Sequence, residues 1–353
     1  MPAAATGPVP PQFHSRISRI ALGDVIHRSA RRFGARTALI EGEHRMTYGE
    51  LDAASSRFAH HLLGLGLASG DCVGMLCNNS IQMVVAMLGI QKAGLVWVPI
   101  NTALAVEAVG YILAHAGVRH IVIDTALHAK PELRDLFDAN GIAPMLCVLD
   151  GDTPPAGLPT VPQVISQGPT TLPDVHIDST QLALIMYTSG TTGRQKGVMH
   201  SHASVHSVLL SNMVEWGSSP ERADVWSAVL PLFHCGQHTV AMSALAVGGS
   251  LVVLRGFDPG AMLAAIGRHR ITLAVGLPGV RRVRHQRRWT GRAPMTGGGW
   301  LRLKDQAPEG AAQAPPGGPR WCGVTPGGAG NYGTPGDALA PFPRTFRSRG
   351  RVP

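Results

Sequence analysis

The chain of 353 residues is long enough for two ordinary domains or for one large α/β domain with a sizeable core. A hydrophobic content of 44% and a charged content of 15% are typical of a globular protein and exclude a chain that is disordered throughout. The formal charge of +9 is uneven, because residues 281–353 carry 13 Lys/Arg and 3 Asp/Glu. The basicity therefore belongs to the C-terminal segment alone.

Cysteine usage and the N-terminus predict a cytoplasmic protein. The five cysteines form no CxxC pair and no Cys/His cluster at zinc spacing, so we predict no metal site and expect small core residues. Residues 1–16 have neither a basic start nor a long apolar run, which predicts a flexible lead-in without a signal peptide. The most apolar stretch, 81–100, is interrupted by Gln91, Lys92 and Gly94, which argues against a membrane span.

Helical and strand periods alternate over residues 17–150, the first predicted α/β subdomain. Thr47 and Glu50 fit a capping box, and apolar residues recur at helical spacing from Leu51 to Leu65. The other predicted elements are helices at 20–33, 81–91, 105–116 and 132–137 and strands at 73–77, 95–100, 120–123 and 145–149. Such alternation with short connections implies a mainly parallel sheet with helices on its faces.

Residues 151–180 are proline-rich and weakly periodic, which predicts a linker over the surface. The α/β rhythm then resumes over residues 181–280, the second predicted subdomain. Its predicted elements are strands at 182–186, 226–230, 251–254 and 271–275 and helices at 202–215, 239–246 and 262–269. The predicted fold class is therefore α/β, with two mainly parallel sheet subdomains flanked by helices.

Residues 187–197 read Tyr-Thr-Ser-Gly-Thr-Thr-Gly-Arg-Gln-Lys-Gly and have the composition of a phosphate-binding loop. Glycines let backbone N–H groups approach a polyanion, hydroxyls add short donors, and Lys196 adds a positive charge. A Walker loop requires Gly-Lys-Ser/Thr, whereas Lys196 follows Gln195 here, so a P-loop NTPase is disfavoured. The buried-type strand at 182–186 also disfavours the alternative of a flexible surface linker.

The loop closely resembles the signature of the adenylate-forming (AMP-binding) superfamily. That superfamily includes acyl-CoA synthetases, aryl-CoA ligases, luciferases and nonribosomal peptide adenylation domains, and its pattern is Tyr/Phe-Thr-Ser-Gly-Thr-Thr/Ser-Gly-x-Pro-Lys-Gly. Gln195 is the one departure, where the family usually has proline. Three further segments resemble acyl-CoA synthetases: Met46-Thr47-Tyr48-Gly49-Glu50-Leu51-Asp52, Asn78-Asn79-Ser80 and Ala93-Gly94-Leu95-Val96-Trp97-Val98-Pro99-Ile100-Asn101. The resemblance thus covers residues 17–280.

The resemblance implies a two-step ligase reaction. A carboxylate attacks the α-phosphate of ATP to give an acyl-adenylate and pyrophosphate, and CoA thiolate then displaces AMP. The phosphates would be held by seven loop residues: Thr188, Ser189, Gly190, Thr191, Thr192, Gly193 and Lys196. ATP, Mg2+ and CoA are the implied cofactors, and the substrate would be a medium- or long-chain fatty acid or an aryl acid. No nucleic acid partner and no transmembrane segment are expected, and no motif indicates the oligomeric state.

Two further segments resemble the family's substrate pocket. Residues 230–236, Leu-Pro-Leu-Phe-His-Cys-Gly, are similar to its Pro-Leu-Phe-His motif, which would put Phe233 and His234 beside the reacting carboxylate and make His234 the candidate catalytic residue. The alternative is that both side chains only pack at a strand end. Gly276 lies in a Val-Gly-Leu-Pro sequence that either borders the acyl tunnel or ends an ordinary strand.

The composition changes abruptly after Val280. Residues 281–353 contain 14 glycines, 10 prolines and no isoleucine, which predicts a basic, disordered tail. One explanation is an arginine-rich tail for nucleic acid or an anionic surface. We favour the other, a frameshift, because G/C-rich codons supply Arg, Gly, Pro and Ala.

The change in composition bears on activity. In the family, the Tyr-Gly-x-Thr-Glu motif, the ribose-binding aspartate and the domain with the catalytic lysine follow this point. Residues 331–334 read Asn-Tyr-Gly-Thr but precede Pro335 instead of glutamate. We therefore expect impaired thioester formation by the chain as written, with a non-catalytic nucleotide-binding fragment as the alternative.

Overall fold

The computed structural model of the chain describes residues 21–188, 194–275, 295–296 and 300–302, and two sheets organise them. The α-helices are α1 (Gly23–Phe33), α2 (Tyr48–Gly64), α3 (Ile81–Lys92), α4 (Val106–His115), α5 (Thr125–His128), α6 (Pro131–Asn140), α7 (Val161–Ser166), α8 (His202–Glu215), α9 (Cys235–Ala246) and α10 (Pro259–His269). The strands are β1 (Thr37–Glu41), β2 (His44–Thr47), β3 (Cys72–Leu76), β4 (Val96–Pro99), β5 (His120–Asp124), β6 (Ala143–Cys147), β7 (Leu182–Thr188), β8 (Lys196–Ser201), β9 (Val225–Ala228), β10 (Ser250–Val253), β11 (Leu273–Val275), β12 (Met295–Thr296) and β13 (Trp300–Arg302).

Parallel strand pairs form the centre of both sheets, as the sequence predicts. The first has the order β6-β5-β3-β4-β7-β8 and is parallel except for the β7–β8 pair. The second has the order β12-β13-β11-β9-β10-β1-β2, with a parallel centre and antiparallel pairs at its edges. Each sheet combines strands from 17–150 and from 181–280, because β7 pairs with β4 and β10 pairs with β1. The predicted linker at 151–180 therefore does not separate the two sheets.

The buried side chains form three groups that define the layers. The largest lies between the sheets and joins Leu39 and Leu251 of the second sheet to Val73 and Trp97 of the first. A second group covers the other face of the first sheet beneath α4 and α6, and a third covers the other face of the second sheet beneath α10. The described residues therefore stack as helix, sheet, helix, sheet and helix.

Helix α3 lies in the central layer and is buried along its length. All of its residues except Gln82 are buried, which explains why its sequence is apolar on every side. Its terminal Lys92 is also buried, and its Nζ donates to the Asp52 carboxylate and to Ser56 Oγ. Burial lowers the Lys92 pKa, and the Asp52 charge opposes that shift. His27 Nδ1 lies 3.0 Å from the same carboxylate, so one polar cluster joins α1, α2 and α3.

The predicted helices and strands agree with the structure to within a few residues, and the capping box of Thr47 and Glu50 is present. Among the elements up to β11, the sequence did not predict β1, β2, β8, α5 or α7. Helix α7 lies inside the predicted linker, begins with a Thr160–Gln163 capping box and buries Val161 completely. These elements are short or largely polar, so tertiary pairing and not periodicity stabilises them.

The structure also bears on the predictions for the C-terminal segment, the cysteines and membrane-spanning helices. Strands β12 and β13 fall within 281–353, where composition predicts disorder, and the rest of that segment lies outside the described residues. Cys77 and Cys147 are buried as predicted, whereas Cys235 is exposed, so it was wrong to expect every cysteine in the core. Within the described residues, no helix combines the length and the apolar character that crossing a membrane requires.

His238 of α9 is a polar side chain within the central layer. Its ring lies against Trp97 of β4, with 5.0 Å between the ring centroids, and it is 1% exposed. Its Nε2 has no hydrogen-bond partner among the described residues. Burial lowers the His238 pKa to about 3, and the nearby charge of His200 on β8 acts in the same direction.

We predict that Gly89→Ala destabilises the fold through the contact between α2 and α3. A Cβ at Gly89 would lie 2.7 Å from Phe58 Cδ1 and 2.9 Å from the Ser55 carbonyl oxygen. The expected loss in the free energy of unfolding is roughly 1–3 kcal/mol. Gly64→Ala is the matched control, because a Cβ there meets nothing within 4 Å and alanine favours the helix. Equal denaturation midpoints for the two variants would contradict this packing.

We also predict that His238 makes the stability fall in acid. In the unfolded chain this imidazole has its usual pKa of 6.5, whereas burial lowers its pKa in the folded chain to about 3. Stability is therefore fully present above pH 6.5 and is lost as the pH falls toward 3, by roughly 1 kcal/mol per pH unit. Denaturant unfolding of His238→Gln should show a shallower pH dependence than wild type, and His176→Gln, an exposed control, should not.

Candidate functional site

The predicted phosphate loop joins two antiparallel strands. Thr188, the last residue of β7, pairs with Lys196, the first residue of β8, and Tyr187 pairs with Gly197. The loop residues Ser189 to Gly193 lie outside the described residues. In a Walker loop the glycine-rich segment leads into a helix, whereas here it leads into a strand. The fold therefore also disfavours a P-loop NTPase.

The base of this hairpin is held by aromatic contacts. Tyr187 Oη and His115 Nδ1, at the end of α4, are 2.8 Å apart, and the two rings meet edge to face. Burial raises the pKa of Tyr187, as does the neighbouring Tyr111. A Cβ at Gly197 would lie 2.9 Å from Ile185 Cγ2 and 3.2 Å from the Tyr187 ring, so glycine is needed there for close packing. Tyr187 and Gly197 thus have structural reasons to be part of the motif.

The polar side chains at the mouth of the hairpin face solvent. Thr188 and Lys196 are both exposed, and Lys196 makes no ion pair with any residue that the structure describes. The hairpin leaves the sheet at the carboxyl end of β7, beside the parallel strand β4. Ligands of α/β sheets bind at this edge. The position and the free ammonium group suit a polyanion.

The segment 230–236 is fixed by Asn79, which precedes α3. Its Nδ2 lies 3.2, 2.8 and 3.1 Å from the carbonyl oxygens of Ala228, Leu230 and Leu254. Its Oδ1 accepts from the backbone N–H of Leu232 at 2.8 Å. Asn79 is 2% exposed, so these bonds are shielded from water. One buried amide therefore sets the course of the chain toward His234.

Phe233 and His234 stand at the start of α9, with 4.8 Å between their ring centroids. Phe233 is half-buried and His234 is exposed, and the His234 ring makes no capping hydrogen bond to the helix. His234 therefore does not pack into the core, and its side chain can meet a ligand. Its role beside a carboxylate stays a prediction, as does that of Gly276, which lies outside the described residues.

The two predicted parts of the site come from different sheets. The hairpin belongs to the first sheet, whereas His234 follows β9 of the second. The structure brings β8 and α9 near each other, since His200 on β8 lowers the pKa of His238, one turn after His234 on α9. The sequence singled out the Asn78-Asn79-Ser80 segment but did not predict the contacts of Asn79 with segment 230–236. It also did not predict the contact of His115 with Tyr187. No local pattern links these residues to the motifs that they hold.

Comparison with known proteins agrees with this geometry. Residues 26–302 match the family described as AMP-binding enzyme, so the match continues past the change of composition at 280. The long-chain-fatty-acid–CoA ligase FadD13 of Mycobacterium tuberculosis is 30% identical over 67% of this chain and 45% of its own length. The feruloyl-CoA synthase of an Amycolatopsis species is 32% identical over 73% of this chain and 48% of its own.

A solved structure shows the same fold. The inhibitor-bound N-terminal domain of FACL13 from Mycobacterium tuberculosis superposes with a TM-score of 0.65 at 28% identity, over 75% of this chain and 65% of that domain. The matched part of the chain spans about half the length of FadD13 and of the feruloyl-CoA synthase. The segment that matches the family, residues 26–302, includes the hairpin, the Asn79 turn and the start of α9. The chain therefore belongs to the AMP-binding enzyme family.

Proposed function

We propose that this chain is the nucleotide-binding and carboxylate-binding part of an acid–CoA ligase. The observation that carries the proposal is the hairpin, which pairs Thr188 with Lys196 at the carboxyl edge of the first sheet. The relatives named above, one a fatty-acid ligase and one a feruloyl ligase, support the class of reaction. In this role the chain would hold ATP while a carboxylate attacks the α-phosphate.

The hairpin would act by electrostatics. As the bond to pyrophosphate breaks, negative charge grows on the β- and γ-phosphates, and an exposed ammonium at Lys196 would stabilise it. Hydroxyl and backbone N–H donors of Thr188 to Gly193 would add directed hydrogen bonds. No general base is required, because the substrate carboxylate is already ionised at neutral pH.

The loop sequence also bears on Mg2+. Residues 187–197 include hydroxyl groups but no carboxylate. Mg2+ prefers oxygen ligands and commonly binds through phosphate oxygens, so it fits this loop together with ATP and would neutralise charge on the leaving pyrophosphate. CoA is proposed as a substrate only because the two relatives named above are a CoA ligase and a CoA synthase.

The acid is proposed only as a class. His234, exposed at the start of α9, would lie beside the carboxylate, with Phe233 next to it. We favour a medium- or long-chain fatty acid, with an aryl acid as the alternative, since the two relatives differ in this respect. The other candidate function is a nucleotide-binding fragment without catalysis, because residues 331–335 lack the expected glutamate.

Substitution of Lys196 tests the phosphate site. We expect Lys196→Ala to weaken ATP binding by roughly tenfold to 100-fold, the worth of one charge-assisted contact of about 1.5–3 kcal/mol. Isothermal titration calorimetry measures the affinity. Lys130→Ala is the matched control, since Lys130 is also an exposed lysine but lies before α6. Equal ATP affinities for both variants would refute the assignment of the hairpin.

Isotope exchange separates the two candidate functions. A ligase fragment that forms an acyl-adenylate exchanges labelled pyrophosphate into ATP only when its acid is present, and fatty and aryl acids can be compared directly. ATP binding without exchange for any acid would leave the non-catalytic fragment as the function. Thioester formation at a normal rate by the purified chain would overturn the expectation of impaired activity.

A further inference from the structure

Three side chains with metal-binding chemistry meet at the carboxyl ends of three neighbouring strands. Cys77 directly follows β3, Asp124 ends β5 and Cys147 ends β6, and these strands are adjacent in the order β6-β5-β3. All three residues are buried, and their ligand atoms lie within 4.8 Å of one another. Strand β4 separates this cluster from the phosphate hairpin of β7 and β8 at the same edge of the sheet.

We propose that Cys77, Asp124 and Cys147 bind one soft divalent cation, with Zn2+ as the natural occupant. Two thiolates and one carboxylate are ligands that Zn2+ accepts, and the sulfur atoms select against Mg2+ and Ca2+. The site is separate from the proposed ATP site and does not rest on the proposed ligase function.

The spacing of the sulfur atoms fits tetrahedral coordination. Two Zn–S bonds of about 2.3 Å at a tetrahedral angle place the sulfur atoms roughly 3.8 Å apart. Cys77 Sγ and Cys147 Sγ are 3.8 Å apart in the structure. One of the Asp124 carboxylate oxygens is within 4.8 Å of both sulfur atoms, so a shift of about 1 Å completes three ligands around one centre. A fourth position would be left for water.

The Asp124 carboxylate has one oxygen to spare for such a cation. Its Oδ2 accepts from the backbone N–H and the Nδ2 of Asn78 at 2.9 and 3.0 Å, and from Arg255 at 2.9 Å. Its Oδ1 is buried and has no hydrogen-bond partner among the described residues. A buried carboxylate oxygen without a partner is costly, and the bonds to Oδ2 would hold the group as a ligand.

The charges of the filled site balance. Two thiolates and the Asp124 carboxylate carry three negative charges, which a divalent cation and the Arg255 guanidinium neutralise together. Each thiol gives its proton to solvent as its sulfur binds the cation. Burial raises the pKa of the Cys77 thiol well above its usual range, so without a cation this thiol keeps its proton. Arg255 is 38% exposed, so solvent reaches the edge of the cluster.

The closeness of these three side chains also has a simpler explanation, and the experiment must distinguish it from a cation site. Cys77 Sγ can donate to Cys147 Sγ, or to the Val122 carbonyl oxygen at 3.4 Å, as an ordinary buried thiol. In that case the three residues are only part of the core. The two explanations differ in whether a thiophilic cation binds at both sulfur atoms.

Cobalt titration of the reduced, chelator-treated full chain provides the test. We expect one Co2+ per chain to produce the near-ultraviolet absorption of thiolate-to-cobalt charge transfer, and Zn2+ to abolish it. Cys77→Ser and Cys147→Ser should each lose most of this absorption and bind roughly 100-fold more weakly, since even supporting residues change metal affinity 10–100-fold. Asp124→Asn should keep the absorption but weaken binding.

Cys72→Ser is the matched control, because Cys72 begins β3 and packs against the opposite face of the sheet. It should bind Co2+ as wild type does. Zn2+ should raise the unfolding temperature of wild type but not of Cys147→Ser, a readout that needs neither ATP nor activity. Absence of charge-transfer absorption in folded wild type, or equal absorption in Cys147→Ser, would overturn the site.

Discussion

The turn between β3 and α3 ties the two sheets together, and the rest of the structure depends on it. Asn78 binds the Asp124 carboxylate at the end of β5, in the first sheet. Asn79 binds the backbone where β9 and β10 end, in the second sheet. The backbone N–H of Ile81 donates to Glu41 Oε2 of β1 at 2.7 Å. Three residues of one short turn thus hold the carboxyl edges of both sheets at the start of one buried helix.

This arrangement explains how the candidate site is assembled. Helix α3 is apolar on all sides and must be covered on all sides, which requires a sheet on each face and strands from both halves of the chain. Once the carboxyl edges share one turn, the β7–β8 hairpin and the start of α9 open toward the same region. The phosphate loop and His234 need no direct bond to each other for this.

Buried polar groups in this protein fall into two kinds. Lys92, Asp52 and His27 satisfy one another, so their cluster can hold three helices without a ligand. Asp124 Oδ1 and His238 Nε2 lack hydrogen-bond partners among the described residues. The two groups differ in how the protein accommodates them. His238 stays neutral because burial disfavours its charge, whereas Asp124 sits beside Arg255 and two thiols, where a cation would complete the balance of charge.

Local order along the chain determined most of the helices and strands, the capping box at Thr47, the phosphate loop and the family. Apolar periodicity, turn residues and motif spacing all lie within a few neighbouring residues, so sequence alone expresses them. The tertiary structure alone decided the pairing of β7 with β4, the Asn79 contacts and the meeting of Cys77, Asp124 and Cys147. These contacts join residues that are from 23 to more than 150 positions apart in the sequence. Their stabilising free energy comes from burial, which is complete only after the sheets have formed. A local sequence pattern therefore cannot predict them.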